Sequence, residues 1–240
     1  MKRTTHPLDI AAAGTLLAAL VTALVVPPEV TQGDLARIIF VHVPAAWLAY
    51  LAFIVTLVGS VAYLVRRNRR WDRVAASSAE VGVYFTGLAL VTGSIWGKPT
   101  WGVWWTWDAR LVLTAVMFFV YLGYLALRRG ITDPSARARR SAWFGVLAVV
   151  QIPLVHFSVV WWRTLHQPPT ILRPGPMQMD AAFRGGLVMA VVAFTVVYAA
   201  LLRRRIRLAR LEDALEERLG DVDVAGADVA APDLTEAFDG

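Results

Sequence analysis

The 240 residues include no cysteine. Thiol redox chemistry, thiolate ligation of a metal and thioether attachment of a prosthetic group are therefore excluded within the chain. Histidine is scarce as well, with four in all, so any site that needs an imidazole has few residues to draw on. No internal repeat is evident, and no polar stretch is long enough for a sizeable soluble domain.

What the chain has in quantity is hydrocarbon. Hydrophobic residues make up 57% of it, and the mean hydropathy is +0.53. Six apolar runs, about 9–27, 38–65, 74–96, 110–127, 141–160 and 183–202, approach or exceed twenty residues. That length suits helices crossing ~30 Å of hydrocarbon, not barrel strands of about ten residues. The predicted fold class is all-α, a polytopic membrane protein with six transmembrane helices. Lys2 and Arg3 ahead of the first run imitate a signal peptide, but the run is too long and ends in "VVPPEV" without a small-x-small cleavage pattern. It is read as a retained helix.

A net charge of +6 raises nucleic acid as a partner, but the basic residues cluster beside helix ends: Arg66, Arg67, Arg69 and Arg70, then Arg128, Arg129, Arg137, Arg139 and Arg140, then Arg203, Arg204 and Arg205. This is the positive-inside pattern, and it points to membrane lipid and no nucleic acid. It predicts both termini in the cytoplasm and the segments about 28–37, 96–110 and 161–182 outside. The connections "RRNRRWDR" and "RRGITDPSARARR" read as short polar turns between antiparallel neighbours. Residues 1–205 thus form a membrane domain. Within 206–240, Ile206, Leu208, Leu211 and Leu215 fall near helical spacing, which predicts an amphipathic helix on the protein or membrane surface. The acidic, small-residue end of the chain is expected to be disordered.

One outer segment stands apart. "SIWGKPTWGVWWTWDARL", residues 94–111, holds five tryptophans, and seven of the chain's ten (Trp96, Trp101, Trp104, Trp105, Trp107, Trp161 and Trp162) fall on the predicted outer side. An ordinary aromatic belt populates both interfaces. A lipid-anchoring belt accounts for one or two of these indoles but poorly for five. If the second half of the segment is helical, Trp101, Trp104, Trp105 and Asp108 share one face. Indoles offer large, flat, rigid apolar area suited to a porphyrin, Gly97 and Gly102 permit close backbone approach, and Lys98, Arg110, Arg163 and Arg173 are cations for propionates. Asp108 could orient Arg110, orient an indole N–H, or accept from a partner protein.

The histidines divide by depth. His6 lies in the N-terminal tail. His42 sits in "IIFVHVPAAW", about five residues into the second helix and so ~7 Å below the interface. His166 follows the fifth helix in "WWRTLHQPPT". Taken singly, each reads as a structural or solvated histidine; as a pair at similar depth beside the tryptophans, they fit bis-histidine binding of a planar cofactor. His156, inside the fifth helix, is read either as a structural hydrogen-bonder or as a relay ligand.

"WGKPTWGVWWTWDARL", with "IIFVHVPAAW", "ALVTGSIWGKP" and "HFSVVWWRTLHQP", resembles the WWD family of haem-handling proteins of cytochrome c biogenesis, and within it the short six-helix haem exporter C (CcmC) group. The resemblance covers about residues 33–170. It implies a protein of the bacterial cytoplasmic membrane that is not an enzyme. Such a protein binds haem b non-covalently at the outer face and presents it to the periplasmic haem chaperone CcmE, beside the ATP-driven pair CcmA and CcmB and the small protein CcmD. His42 and His166 match the axial ligands, and Trp96, Trp101, Trp104, Trp105, Trp107 and Asp108 occupy the WWD positions. A synthase-type relative (CcsA or CcmF) would need more helices. A small-solute transporter is the rival of another class; it would want intramembrane acidic or lysine pairs, and the runs carry little beyond Glu80.

Overall fold

A computed structural model describes residues 6–167 and 179–230. It contains helices α1 (Pro7–Val25), α2 (Ile39–Arg66), α3 (Arg69–Trp101), α4 (Ala109–Arg129), α5 (Pro134–Ala148), α6 (Gln151–Trp161) and α7 (Ala181–Ala230), with a short 3-10 helix, Asp34–Ile38, leading into α2. No strand occurs among the described residues. With α5 and α6 counted as one path, six segments are long and apolar enough to cross a membrane, as predicted.

Local chemistry sets the helix ends. The His6 imidazole accepts from the Leu8 N–H, Asn68 from that of Arg70, and Asp133 from those of Ser135 and Ala136, each satisfying amides that have no partner within the helix. Pro7 and Pro134 occupy first-turn positions, where a missing N–H costs nothing. Between α2 and α3 only Arg67 and Asn68 intervene, so "RRNRRWDR" is mostly helix rather than a turn. The Asn68 cap starts α3 about five residues earlier than hydropathy indicates.

Hydropathy also misses a break in the fifth span. Pro153 has no N–H to offer the Val149 carbonyl, which instead accepts from Ile152 at 3.0 Å, one residue too soon for an α-helix. The span divides there into α5 and α6.

α2 is the central helix, packed against α3, α5 and α7, while α4 covers α3 and α6, and α1 lies on α7. Leu48, Ala52 and Phe53 are fully buried. Phe53 stacks on Tyr121 with ring centroids 3.4 Å apart. Gly82 makes room for it, because a Cβ there would lie 2.5 Å from the Phe53 ring.

The arginine-rich end is laced with ion pairs. Asp72 on α3 takes both guanidinium nitrogens of Arg128 on α4, at 2.6 and 2.9 Å. Asp9 accepts from Arg203 and Arg204, and Glu80 pairs with Arg205. α7 continues unbroken through this region, so the amphipathic segment is not a separate helix on a surface. It is the far end of the last span, held to α3 by Asp213 with Arg73 and Arg69 and to α5 by Glu216 with Arg137. Part of the segment expected to be disordered is helical, as far as Ala230, and the rest lies outside the described residues.

Candidate functional site

At the opposite end, a cavity of about 320 Å³ opens between α2, α3, α4, α6 and the chain following α6. Its walls carry the imidazoles of His42, His156 and His166, the indoles of Trp96, Trp101 and Trp105, and the guanidinium of Arg110. Size and lining fit a ligand that is mostly apolar with a few fixed polar contacts.

His42 projects from α2 toward α3. Its Nδ1 lies 3.1 Å from the Thr92 hydroxyl, and the Trp96 indole meets it edge-on at 5.9 Å. Trp96 is itself anchored, its N–H donating to Gln32 at 2.8 Å.

α3 ends at Trp101 because Gly102 adopts φ +81°, the left-handed region open to glycine, and donates its N–H to the Lys98 carbonyl. The Lys98 ammonium returns a bond to the Gly102 carbonyl at 2.9 Å and thus serves as a cap. Gly97 lets Trp101 fold back on the helix, since a Cβ there would lie 3.1 Å from the indole. Residues 102–108 are non-helical, which corrects the expectation of a helix through the second half of this segment. The tryptophans consequently do not share one face. Trp105 turns into the cavity, whereas Trp104 and Trp107 are 59% and 86% exposed.

Asp108 starts α4. One carboxylate oxygen accepts from the Arg110 N–H at 2.9 Å, and the other from the Leu165 N–H at 2.7 Å. Backbone amides, not an indole or a guanidinium, occupy it. It therefore clasps the segment that carries His166 to the tryptophan loop. Asp108→Ala removes both acceptors and is expected to speed hydrogen exchange at Leu165 and Arg110 by ~5-fold or more, as the loss of a hydrogen bond of ~1 kcal/mol implies. Unchanged exchange at Leu165 would show that the clasp does not hold this segment.

His166 is half-buried, 6.5 Å from the Trp101 ring. Its Nδ1 lies 2.9 Å from the Gln167 carbonyl, which only accepts, so Nδ1 carries the proton and Nε2 keeps its lone pair. Burial holds the imidazole below its ordinary pKa, the Gln167 bond opposes this, and nearby Arg110 adds to it. The ring is thus neutral at pH 7, the form that ligates a metal.

Arg110 reaches across to the His156 carbonyl at 2.7 Å, while its buried Nε has no protein partner. His156 lines the same cavity, with Tyr50 edge-on at 6.4 Å. Arg163 is exposed and lines no part of the cavity, and Arg173 lies outside the described residues. Tyr50, Thr92 and Gly93 also line the cavity or touch its histidines, and sequence reasoning passed over all three. The available signal was that Thr92, Gly93 and Trp96 lie within about one helical turn.

The family model described as CcmC, Heme exporter protein C, matches residues 1–219. The Heme exporter protein C of Bradyrhizobium diazoefficiens is 39% identical over 216 residues, covering 85% of this chain and 82% of its own length. That of Escherichia coli is 38% identical over 181 residues, 75% of this chain and 73% of its own. A ccmC-like mitochondrial protein of cytochrome c biosynthesis from Marchantia polymorpha is 39% identical over 161 residues, 67% and 68% of the two chains.

Proposed function

The chain belongs to the Heme exporter protein C family, and from that premise we propose that its cavity receives haem at the outer face of the membrane and offers it to a second protein. Membership and six membrane-crossing helices make it a multi-pass protein of the bacterial cytoplasmic membrane with a part in haem export for cytochrome c maturation. Its work is transport and delivery. The finer reading is that haem b is bound without a covalent link, between His42 and His166 as axial ligands. Trp96, Trp101 and Trp105 lie against the porphyrin, and Arg110 faces a propionate. The observation that carries this is one cavity, walled by indoles and lined by three imidazoles, of which those of His42 and His166 come from α2 and from the chain after α6.

Haem here is cargo, and cargo must leave. Two axial bonds and flat apolar contact hold it without enclosing it. Trp104 and Trp107, exposed on the loop that carries Trp105 into the cavity, offer a surface to the receiver, which the family's system supplies as CcmE. CcmA, CcmB and CcmD are the neighbours proposed in the membrane. The cavity end is assigned to the outside because the arginine clusters gather at the other end, which also sets both termini in the cytoplasm.

Absorption spectra of the purified protein test the ligation. His42→Ala and His166→Ala are each expected to lose the low-spin bis-histidine spectrum while His156→Ala keeps it, and an unchanged spectrum in either of the first two removes that residue from the site. Orientation is read by labelling Thr100→Cys and Arg163→Cys, in a chain with no native thiol. Labelling of both in intact spheroplasts is expected, and protection of both until the membrane is permeabilised reverses the topology.

A further inference from the structure

Thr92 is buried on α3, and its hydroxyl has one proton to give. That proton goes to the backbone: Oγ1 lies 2.7 Å from the Leu88 carbonyl one turn back and 3.3 Å from that of Ala89. Both are acceptors only. Toward His42, 3.1 Å away, the oxygen is therefore left to accept, which calls for the proton between them on His42 Nδ1, and the Ala89 carbonyl, an acceptor only, also bonds the ring and favours an N–H there. We infer that Thr92 is a positioning residue that fixes His42 in its Nδ1–H tautomer and so presents the Nε2 lone pair to the cavity.

The alternative arrangement costs more. If the hydroxyl turned to donate to Nδ1, the Leu88 carbonyl would lose its side-chain partner, and His42 would present an N–H instead of a lone pair to a cavity walled by indoles. The neighbouring residue completes the holder. A Cβ on Gly93 would lie 3.0 Å from His42 Cε1, so the glycine leaves the ring a slot beside the threonine that bonds it. Trp96, four residues after Thr92, closes the third side edge-on. Thr92, Gly93 and Trp96 thus set the ring's proton, plane and edge from one stretch of α3. His166 reaches the same tautomer by its own backbone bond to Gln167, so both imidazoles offer Nε2.

The tautomer claim stands on the ligand-free protein, whereas its consequence for haem rests on the function proposed above. Nitrogen-15 histidine spectra of the ligand-free protein, with His42 assigned by its loss in His42→Ala, read the tautomer directly. The expected result is Nδ1–H in the wild type, retained in Thr92→Ser and replaced by a mixed population in Thr92→Val, which keeps the shape and removes the hydroxyl. Haem titration is then expected to show a ~10- to 100-fold weaker affinity for Thr92→Val and near-wild-type affinity for Thr92→Ser, the usual effect of losing a partner behind a ligating histidine. Paramagnetic resonance of the ferric form should show altered g-values in Thr92→Val alone. An Nε2–H His42 in the wild type, or an unchanged tautomer in Thr92→Val, overturns the inference. Equal weakening in Thr92→Val and Thr92→Ser overturns it too, by making the effect one of packing. If His42→Ala binds haem as well as wild type, the failure belongs to the ligation reading, and the tautomer result still decides the role of Thr92.

Discussion

Replacing Trp101 and Trp105 together with alanine is expected to lower haem affinity by ~100-fold or more, because each indole removes apolar contact worth ~1.5–3 kcal/mol and each 1.4 kcal/mol is tenfold. Replacing Trp104 and Trp107 together is expected to leave haem affinity within ~3-fold, since exposed side chains away from the ligand contribute little to it. The second pair should instead abolish co-purification of CcmE, the receiver proposed above, as loss of exposed aromatic anchors does at interfaces. The contrast follows from where the chain turns: Trp101 and Trp105 line the cavity, whereas Trp104 and Trp107 face outward. Spectroscopic haem titration and affinity capture of the two double variants measure the two effects separately. Equal loss of haem in both variants would mean that the loop acts as one unit, and the division of labour would be abandoned.

The largest effect on stability is expected far from the cavity. Asp72→Ala leaves Arg128 with its charge confined and no carboxylate, and the expected loss is ~3–5 kcal/mol, the range for breaking one partner of a buried pair. Both side chains are well shielded, at 11% and 15% exposure, and the guanidinium also lies over the Tyr124 ring, 5.9 Å from its centroid. Replacing both members with apolar residues of similar volume should recover most of the loss, because the penalty comes from the stranded charge and not from the missing bond. Thermal unfolding in detergent, followed by circular dichroism, gives the comparison. Haem affinity per folded molecule should not change. A single variant within ~1 kcal/mol of wild type would place this pair among the ordinary surface bridges.

The sequence by itself determined the six membrane-crossing segments, because an apolar run about twenty residues long has no other stable place than hydrocarbon. It also determined which residues have the chemistry for the site. With no thiolate available, the four imidazoles were the place to look for metal ligands, and the density of tryptophan between two spans marked the place. Helix ends were less legible. Asn68 and Pro153 act through single hydrogen bonds made or withheld, which a sum of hydropathy does not register.

Only the tertiary structure decided where each candidate site residue sits and what it meets, because those contacts depend on groups distant along the chain. The Asp108 carboxylate meets an amide 57 residues away, and the His42 ring meets a hydroxyl 50 residues away. Trp104 and Trp105 are neighbours in sequence, yet one faces outward and the other lines the cavity, because Gly102 ends α3 in a left-handed turn and releases the helical periodicity that would have aligned Trp104 and Trp105 with Trp101. His156, which the sequence left between two roles, lies in the same cavity wall, on α6, which starts afresh at Gln151 because Pro153 has no N–H to continue α5. Residue type and spacing fix which groups are available and on which span. Direction and proton placement are set by packing and by hydrogen bonds between spans, which exist only once the bundle is assembled.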